Sequence, residues 1–272
     1  MELRKNLILS LKQQLDNNPL IIGLILVGSL ARSKTDIYRS DKFSDLEAYV
    51  IVKNENVEKI EEELVLIVKK LGKVIFSYKN RWSGFSTVFD DLFRLELPVI
   101  KESEIPAVFS RPKAQPVKVL IDKTNGKLEE SFAKRPKNID LEKLFRYEVD
   151  DFWYMSIVAS QYYKRGELYN TKSALHITTS SLIKFFEMLQ DPKILLLETN
   201  KRIEQFLSKE QLSIIAELTP PYDKKAIGNG LIRSFDVFLN ISKEISQKYG
   251  YDYNQTKELE IRKKLLDLLK NK

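Results

Sequence analysis

Short apolar runs alternate with amphipathic stretches in the first half of the chain. A helical pattern over about 4–16 precedes apolar residues at 20–27, and a second β-type run extends from 43 to 53. Between 57 and 71, apolar residues recur every three or four positions, which predicts an amphipathic helix that ends at Gly72. Further strands are predicted at KVIFSY, GFSTVFD, LFRLELPVI and VKVLID. Strands with a few interspersed helices indicate a mixed α+β domain.

Long amphipathic helices dominate the chain after the segment KRPKNID. Asp140 is suited to cap the first of them, and Pro192 and Pro220 interrupt the helical pattern. The predicted helices cover about 140–165, 168–190, 208–218, 224–248 and 255–270. We therefore predict two domains: a mixed sheet domain at 1–130 and an all-helical domain at 131–272.

The composition agrees with a globular protein of this size. The chain has 272 residues, of which 43% are hydrophobic and 31% charged, enough to bury a core in each of two modest domains. It contains no cysteine, which excludes disulfides and thiolate metal sites. The opening MELRKNLILSLKQQL lacks the features of a signal peptide, and no apolar run approaches the ~20 residues of a membrane span. We expect a soluble, cytoplasmic protein that does not bind a membrane.

The formal charge of +7 favours an anionic partner. Nucleotide phosphates, nucleic acid and an acidic membrane surface all qualify on charge alone. Many of the lysines lie in mixed runs such as KELEIRKKLLDLLKNK, which are typical of solvated helix surfaces. The sequence has no RNA-binding motif, so nucleic acid is the weaker expectation.

Two carboxylates stand at an unusual place in the second predicted strand. Asp45 and Glu47 are two residues apart, so their side chains point to the same face of the strand. Close carboxylates repel each other unless a cation lies between them, and Mg²⁺ prefers such hard oxygen ligands. The pattern therefore predicts a magnesium site. The alternative is that both side chains simply face solvent on an edge strand.

Other residues strengthen the metal-site interpretation. Gly28 permits a sharp turn after the first strand, and Ser29 offers a hydroxyl and an amide to an anion at the start of a short predicted helix, SLARS. Glu96 lies in an otherwise apolar strand, and Arg94 shares its face, where it can contact phosphate or balance the carboxylates. Walker A and Gly-x-Gly-x-x-Gly motifs are both absent, which disfavours P-loop NTPases and Rossmann dehydrogenases. The single histidine, His176, cannot form a zinc site.

This combination resembles the signature of the nucleotidyltransferase superfamily with a polymerase-β-like core. Gly28-Ser29 ends one strand, Asp45-x-Glu47 lies in the next, and Glu96 supplies a later strand acid. The resemblance covers nearly the whole chain and is closest to the two-domain lincosamide nucleotidyltransferases. It is carried by YRSDKFSDLEAYVIVK, VFDDLFRLELPVI, RPKNID and FWYMSIVASQYYKRGELYNTKSAL. It implies a polymerase-β-like nucleotidyltransferase domain followed by an all-α helical bundle.

The resemblance also implies a reaction and a role for each site residue. A hydroxyl of an antibiotic, most closely a lincosamide, attacks a magnesium-bound NTP, expected to be ATP; a nucleoside monophosphate is transferred and pyrophosphate leaves. Asp45 and Glu47 would hold Mg²⁺, Gly28 and Ser29 would hold the terminal phosphates, and Glu96 would be the general base or a third metal ligand. The helical domain would line the acceptor site and contribute to a homodimer.

Two features depart from the family pattern. Asp-x-Glu replaces the more common Asp-x-Asp, which keeps both charges and lengthens one side chain. The loop between Ser29 and Asp45 is longer than usual. Its Arg32 is a candidate for contacting the triphosphate or for a solvated loop, and Arg94 is a candidate for binding phosphate or pairing with an acid.

Two other functions remain open at this level. The same site can transfer a nucleotide to another acceptor, such as an aminoglycoside, an RNA end or a protein side chain. A chain with this fold can also be a binding protein without catalytic activity, although the complete set of carboxylates argues against that.

Overall fold

The computed structural model describes residues 2–31, 41, 43–79, 84–108, 116–134, 138–196 and 203–270. The chain divides into two compact units, Met1–Lys137 and Asn138–Lys272. The first unit is built around a mixed sheet and the second consists of helices, so the predicted α+β fold with a helical second half is confirmed.

Six described strands form one sheet in the first unit. They run in the spatial order β3-β4-β5-β2-β1-β6. The β2–β5 pair is parallel and the other neighbouring pairs are antiparallel. The two central strands therefore begin at the same end of the sheet. The strands are β1 Ile21–Val27, β2 Leu46–Val52, β3 Val74–Lys79, β4 Gly84–Phe89, β5 Arg94–Lys101 and β6 Val117–Asp122.

Helices cover both faces of this sheet. One face packs against α1 (Glu2–Asp16) and α2 (Val57–Leu71), and the other packs against α3 (Ile105–Val108) and α4 (Lys127–Ala133). The apolar stripe of α2 is buried as its spacing predicts, and Gly72 follows its last residue.

The alternation along β2 fixes which face its charged residues occupy. Leu46, Ala48 and Val50 are fully buried in the core beneath α1 and α2. Residues of the opposite parity, beginning with Glu47, therefore lie on the other face.

The second unit is a helical bundle with an aromatic core. Asp140 caps its first helix by accepting from the Lys143 amide at 3.0 Å. In the core, the rings of Phe152 and Phe238 stack with centroids 3.6 Å apart. Its helices are α5 Leu141–Arg165, α6 Leu168–Gln190, α7 Ile203–Phe206, α8 Lys209–Glu217, α9 Lys224–Tyr249 and α10 Gln255–Lys270. Among the described helices, none combines the length and hydrophobicity that crossing a membrane requires.

Helix α4 lies where the sequence pattern was least informative. Leu128 packs against the sheet core, which makes α4 part of the first unit. The predicted boundary at 130/131 cuts through this helix, and the division between the units falls seven residues later, after 137. The short stretch KLEESFA has one buried apolar residue, too few to display helical periodicity.

Charged groups are buried between α5 and α6. Glu148 forms an ion pair with Lys184, and Glu187, one turn further along α6, is 3% exposed. Burial raises the pKa of the Glu187 carboxyl to about 7, and the charge of Lys184 opposes this only in part. Within the described residues, one oxygen of Glu148 and one of Glu187 have no hydrogen-bond partner.

Replacing Glu187 should remove a pH-dependent loss of stability. Because its pKa is raised on folding, the folded state binds the extra proton, so stability falls as pH rises from about 4.5 through 7. Glu187→Gln should match wild type at pH 5 and exceed it by about 2 kcal/mol at pH 8. Urea unfolding at both pH values measures this. The exposed Glu244→Gln is the control, and equal stability of Glu187→Gln and wild type at pH 8 would contradict the assignment.

Candidate active site

The predicted site acids lie at the end of the sheet where β2 and β5 begin. In the parallel register, Glu47 is paired with Glu96 and Leu46 with Leu95. Both leucines are fully buried on the α1 and α2 side, so the two glutamates share the opposite face. Asp45 directly precedes β2. The structure thus places Asp45, Glu47 and Glu96 on neighbouring strands at one end of the sheet.

Arg94, the first residue of β5, balances part of this negative charge. Its Nη2 donates to Oδ2 of Asp45 at 2.7 Å, with the side chains 55% and 36% exposed. An ion pair this accessible to water is worth about 1 kcal/mol or less, so a competing ligand can displace it at little cost. The contact matches the sequence-based alternative in which Arg94 pairs with an acid.

The Gly28–Ser29 turn lies beside the acids. Val27, the last residue of β1, is the cross-strand partner of Glu47. Gly28 then adopts a φ of 74°, and its amide donates to the carbonyl of Pro116 at 3.0 Å. This left-handed conformation is unstrained only for glycine, so it is the glycine that lets the chain turn at the rim of the site.

The predicted short helix SLARS is described only over residues 29–31, since residues 32 and 33 lie outside the described residues. The described part belongs to a 3-10 turn, Gly28–Ala31, which contacts β2. One such turn by itself aligns too few peptide groups for an appreciable helix dipole. Ser29 has its hydroxyl and amide to offer to an anion, and this turn adds little field of its own.

The carboxylates are hard oxygen donors of the kind that Mg²⁺ prefers. Mg²⁺ is commonly bound by one or two carboxylates, with water and phosphate oxygens completing its octahedron. Glu47 and Glu96, which are paired directly with each other in the parallel register, supply two carboxylates on one face of the sheet. In the part of the chain that the structure describes, no group of three or more His, Cys, Asp or Glu residues has a metal-binding arrangement. Asp45 is instead held by Arg94.

One predicted site residue is not described, and two residues that were not predicted lie beside the acids. Arg32 lies outside the described residues. Ser86 on β4 is the cross-strand partner of Glu96, and Tyr49 follows Glu47 on the same face of β2. Neither was predicted as a site residue. The parity that places Glu47 on this face applies equally to Tyr49, whereas the alternating GFSTVFD strand gives no sign of which neighbour Ser86 will pair with.

A mixed sheet with strand acids beside a glycine-serine turn is the arrangement of a nucleotidyltransferase. The family model of streptomycin adenylyltransferase matches residues 1–268. The chain therefore belongs to the streptomycin adenylyltransferase family, and it is an enzyme, an antibiotic nucleotidyltransferase. The narrower resemblance to lincosamide nucleotidyltransferases is not confirmed by this match.

Two solved structures are distantly similar over most of their length. An aminoglycoside 6-adenyltransferase from Bacillus subtilis is 16% identical, with 98% of this chain and 97% of that chain covered and a TM-score of 0.42. A nucleotidyltransferase-like protein from Exiguobacterium sibiricum 255-15 is 11% identical, with 98% and 89% covered and a TM-score of 0.41. No curated protein sequence matches the chain significantly. The family assignment rests on the family model alone.

Gly28→Ala tests whether the turn positions the site. The substitution forces a side chain onto a φ of 74° and should lower the free energy of unfolding by about 1 kcal/mol. Gly250, which ends α9 at a φ of 72°, provides a matched control with the same backbone cost and open space around a new Cβ.

Both variants should lose similar stability in urea unfolding, but Gly28→Ala alone should lose nucleotidyl transfer, by tenfold or more. Equal activity of the two variants would contradict a positioning role for Gly28.

Proposed function

We propose that the protein transfers AMP from ATP to a hydroxyl group of an aminoglycoside, with Mg²⁺ as cofactor and pyrophosphate as the leaving product. The observation that carries the proposal is the pairing of Glu47 with Glu96 at the parallel starts of β2 and β5, with the Gly28 turn on the adjoining strand. Phosphoryl transfer needs this kind of site, because it depends mainly on positioning and charge neutralisation.

The family match favours an aminoglycoside as the acceptor. The family is named for the adenylylation of streptomycin, and streptomycin is an aminoglycoside. The lincosamide acceptor expected from the sequence resemblance has no comparable support. An RNA or protein acceptor has none beyond the net charge of +7.

The phosphate side of the site is assigned to the turn and to Arg94. The Ser29 hydroxyl and the backbone after Gly28 are suited to hold the outgoing phosphates. Arg94 can leave Asp45 at little cost in free energy, because their ion pair is exposed to solvent. On nucleotide binding, we expect Arg94 to exchange Asp45 for a phosphate oxygen, which frees the Asp45 carboxylate.

Asp45 and Glu47 would hold Mg²⁺, and Glu96 would be a third ligand only in the alternative in which it is not the general base. When bound, the ion would neutralise the negative charge of the triphosphate. The like charges of Glu47 and Glu96 at paired positions are unfavourable without a cation, so this pair favours binding one.

Glu96 is the candidate general base for the acceptor. In the proposed step, the acceptor hydroxyl oxygen forms a bond to the α-phosphorus, and the bond from that phosphorus to the bridging oxygen breaks. The hydroxyl proton passes to the Glu96 carboxylate and pyrophosphate leaves with the bonding electrons. Glu96 as a third metal ligand is the alternative role.

Removing the site carboxylates should abolish transfer without unfolding the protein. Asp45→Asn, Glu47→Gln and Glu96→Gln should each lower kcat/KM by at least 100-fold, because each removes charge needed at the triphosphate or the base. The assay is pyrophosphate release with each of the four NTPs and Mg²⁺, in the presence of streptomycin, another aminoglycoside, a lincosamide or no acceptor.

Asp90→Asn, in the exposed turn between β4 and β5, is the matched control and should keep full activity. Aminoglycoside-dependent release in wild type supports the proposal. Release that depends on the lincosamide alone, or that survives in Asp45→Asn, would refute the acceptor or the site respectively.

Arg94 should affect nucleotide binding more than protein stability. Arg94→Ala should raise the KM for ATP about tenfold, and Arg94→Lys should restore part of that loss because it keeps a positive charge. The free energy of unfolding should change by less than about 1 kcal/mol, since the Asp45 ion pair is exposed. An unchanged KM for ATP in Arg94→Ala would show that Arg94 only balances Asp45.

A further inference from the structure

A row of paired residues crosses the sheet through the candidate active site and ends at Tyr78. Tyr78 of β3 is the cross-strand partner of Ser86 on β4. Ser86 is in turn the partner of Glu96 on β5, which is paired with Glu47 on β2. Directly paired residues share a face of the sheet. Tyr78 therefore lies on the same face as the site acids, two strands from Glu96, which corresponds to about 10 Å.

The neighbouring row lies on the opposite face, as alternation along the strands requires. Ser77 is paired with Thr87, and the oxygens of their hydroxyl groups are 3.1 Å apart. Thr87 is buried and is paired with Leu95, which belongs to the core beneath α1 and α2. Because Tyr78 follows Ser77 along β3, its side chain is on the face that carries the acids.

The rings of Tyr78 and Phe76 form an exposed aromatic pair on this face. Phe76 is paired with Val88, and Val88 with Arg94, so Phe76 shares the face of the site. The two ring centroids are 5.6 Å apart, and the residues are 51% and 54% exposed. Two adjacent rings that are left half exposed on an edge strand add little to the core and are suited to contact a ligand.

The geometry of the reaction indicates which ligand these rings meet. In phosphoryl transfer, the attacking and leaving oxygens lie roughly in line, on opposite sides of the phosphorus. The proposed phosphate contacts at Gly28 and Ser29 follow β1, which lies on one side of Glu47. The proposed general base, Glu96, lies on the other side, and β4 and β3 come beyond it. An acceptor whose hydroxyl contacts Glu96 therefore extends toward Tyr78.

The charges around this row favour a cationic acceptor. Glu47 and Glu96 are negative, and the positive charge next to Tyr78, that of Lys79, is paired with Glu61 of α2 on the opposite face. The face of a tyrosine ring attracts ammonium and guanidinium groups. An acceptor that carries such a group on a hydroxylated ring can place its hydroxyl at Glu96 and its cation over Tyr78.

We propose that the aromatic pair is a wall of the acceptor site that selects cations carried on rings. The inference rests on the proposed function, and it gives Tyr78 a role in binding the acceptor without a part in the chemical step. The cation of the acceptor packs on the Tyr78 ring, its own ring spans the short side chain of Ser86, and its hydroxyl reaches Glu96.

Steady-state kinetics with streptomycin and ATP distinguish the acceptor from the nucleobase as the ligand of these rings. Tyr78→Ala should raise the KM for streptomycin at least fivefold and change kcat and the KM for ATP less than twofold. Tyr78→Phe keeps an aromatic face and should stay within twofold of wild type, whereas Tyr78→Leu should not recover the lost affinity. Leu66→Ala is the control, because it removes a 61% exposed side chain from α2, which covers the opposite face, and it should change neither KM.

Calorimetric titration of the full-length protein with streptomycin, without ATP or Mg²⁺, gives a readout that does not depend on catalysis. Removing both rings in Phe76→Ala/Tyr78→Ala should weaken binding at least tenfold. Leu66→Ala should change the affinity less than twofold.

An unchanged affinity for streptomycin in the double variant, a rise in the KM for ATP alone, or no streptomycin binding by wild type would overturn the inference. Full recovery in Tyr78→Leu would refute the contact between cation and ring. Adenylylation of streptomycin with a KM that ignores Tyr78 would refute the wall and leave the proposed function intact. Streptomycin binding that depends on Tyr78 without adenylylation would support the wall and refute the proposed function.

Discussion

The parallel pairing of β2 with β5 is the constraint on which the candidate active site depends. Each of these strands carries an acid within its first three residues. Only a parallel register brings Glu47 and Glu96 to the same end of the sheet. An antiparallel pairing would send one of them to the far edge. Burial of Leu46 and Leu95 then fixes the face, because a one-residue slip would exchange core and site residues on the whole strand.

The acids at the starts of β2 and β5 concentrate negative charge at one end of the sheet, where it does not stabilise the fold. Paired like charges at a strand end are unfavourable. The Arg94–Asp45 ion pair neutralises part of this negative charge. That pair is exposed and weak, so it stabilises the empty site without locking it.

Most of the fold was predictable because its elements are long and periodic. The apolar face of α2, the Asp140 cap and the boundaries of α5, α6 and α10 follow from spacing and capping chemistry. Helix α4 was missed because one buried leucine gives no period. The 3-10 turn Gly28–Ala31 overlaps the predicted short helix SLARS at residues 29–31, and four residues carry no signal that separates a 3-10 turn from an α-helix.

The candidate site was only partly accessible from sequence. Parity along single strands predicts that Asp45 and Glu47 share a face, and that Arg94 and Glu96 do. Which strands are neighbours, and in which register, depends on tertiary packing, so Ser86 beside Glu96 could not be derived. For Arg94, the sequence indicated an acidic partner as one alternative without showing that it is Asp45. The acceptor of the reaction could not be read from single strands either, and the family match supports the proposed aminoglycoside.

The most direct test of the account is anomalous diffraction from crystals soaked with Mn²⁺ and a non-hydrolysable ATP analogue. We predict a manganese peak at coordination distance, about 2.1–2.2 Å, from a carboxylate oxygen of Asp45 or Glu47, at the end of the sheet where Glu96 lies, with Arg94 moved from Asp45 to a phosphate. A nucleotide bound elsewhere, or a metal peak away from this end of the sheet, would contradict it.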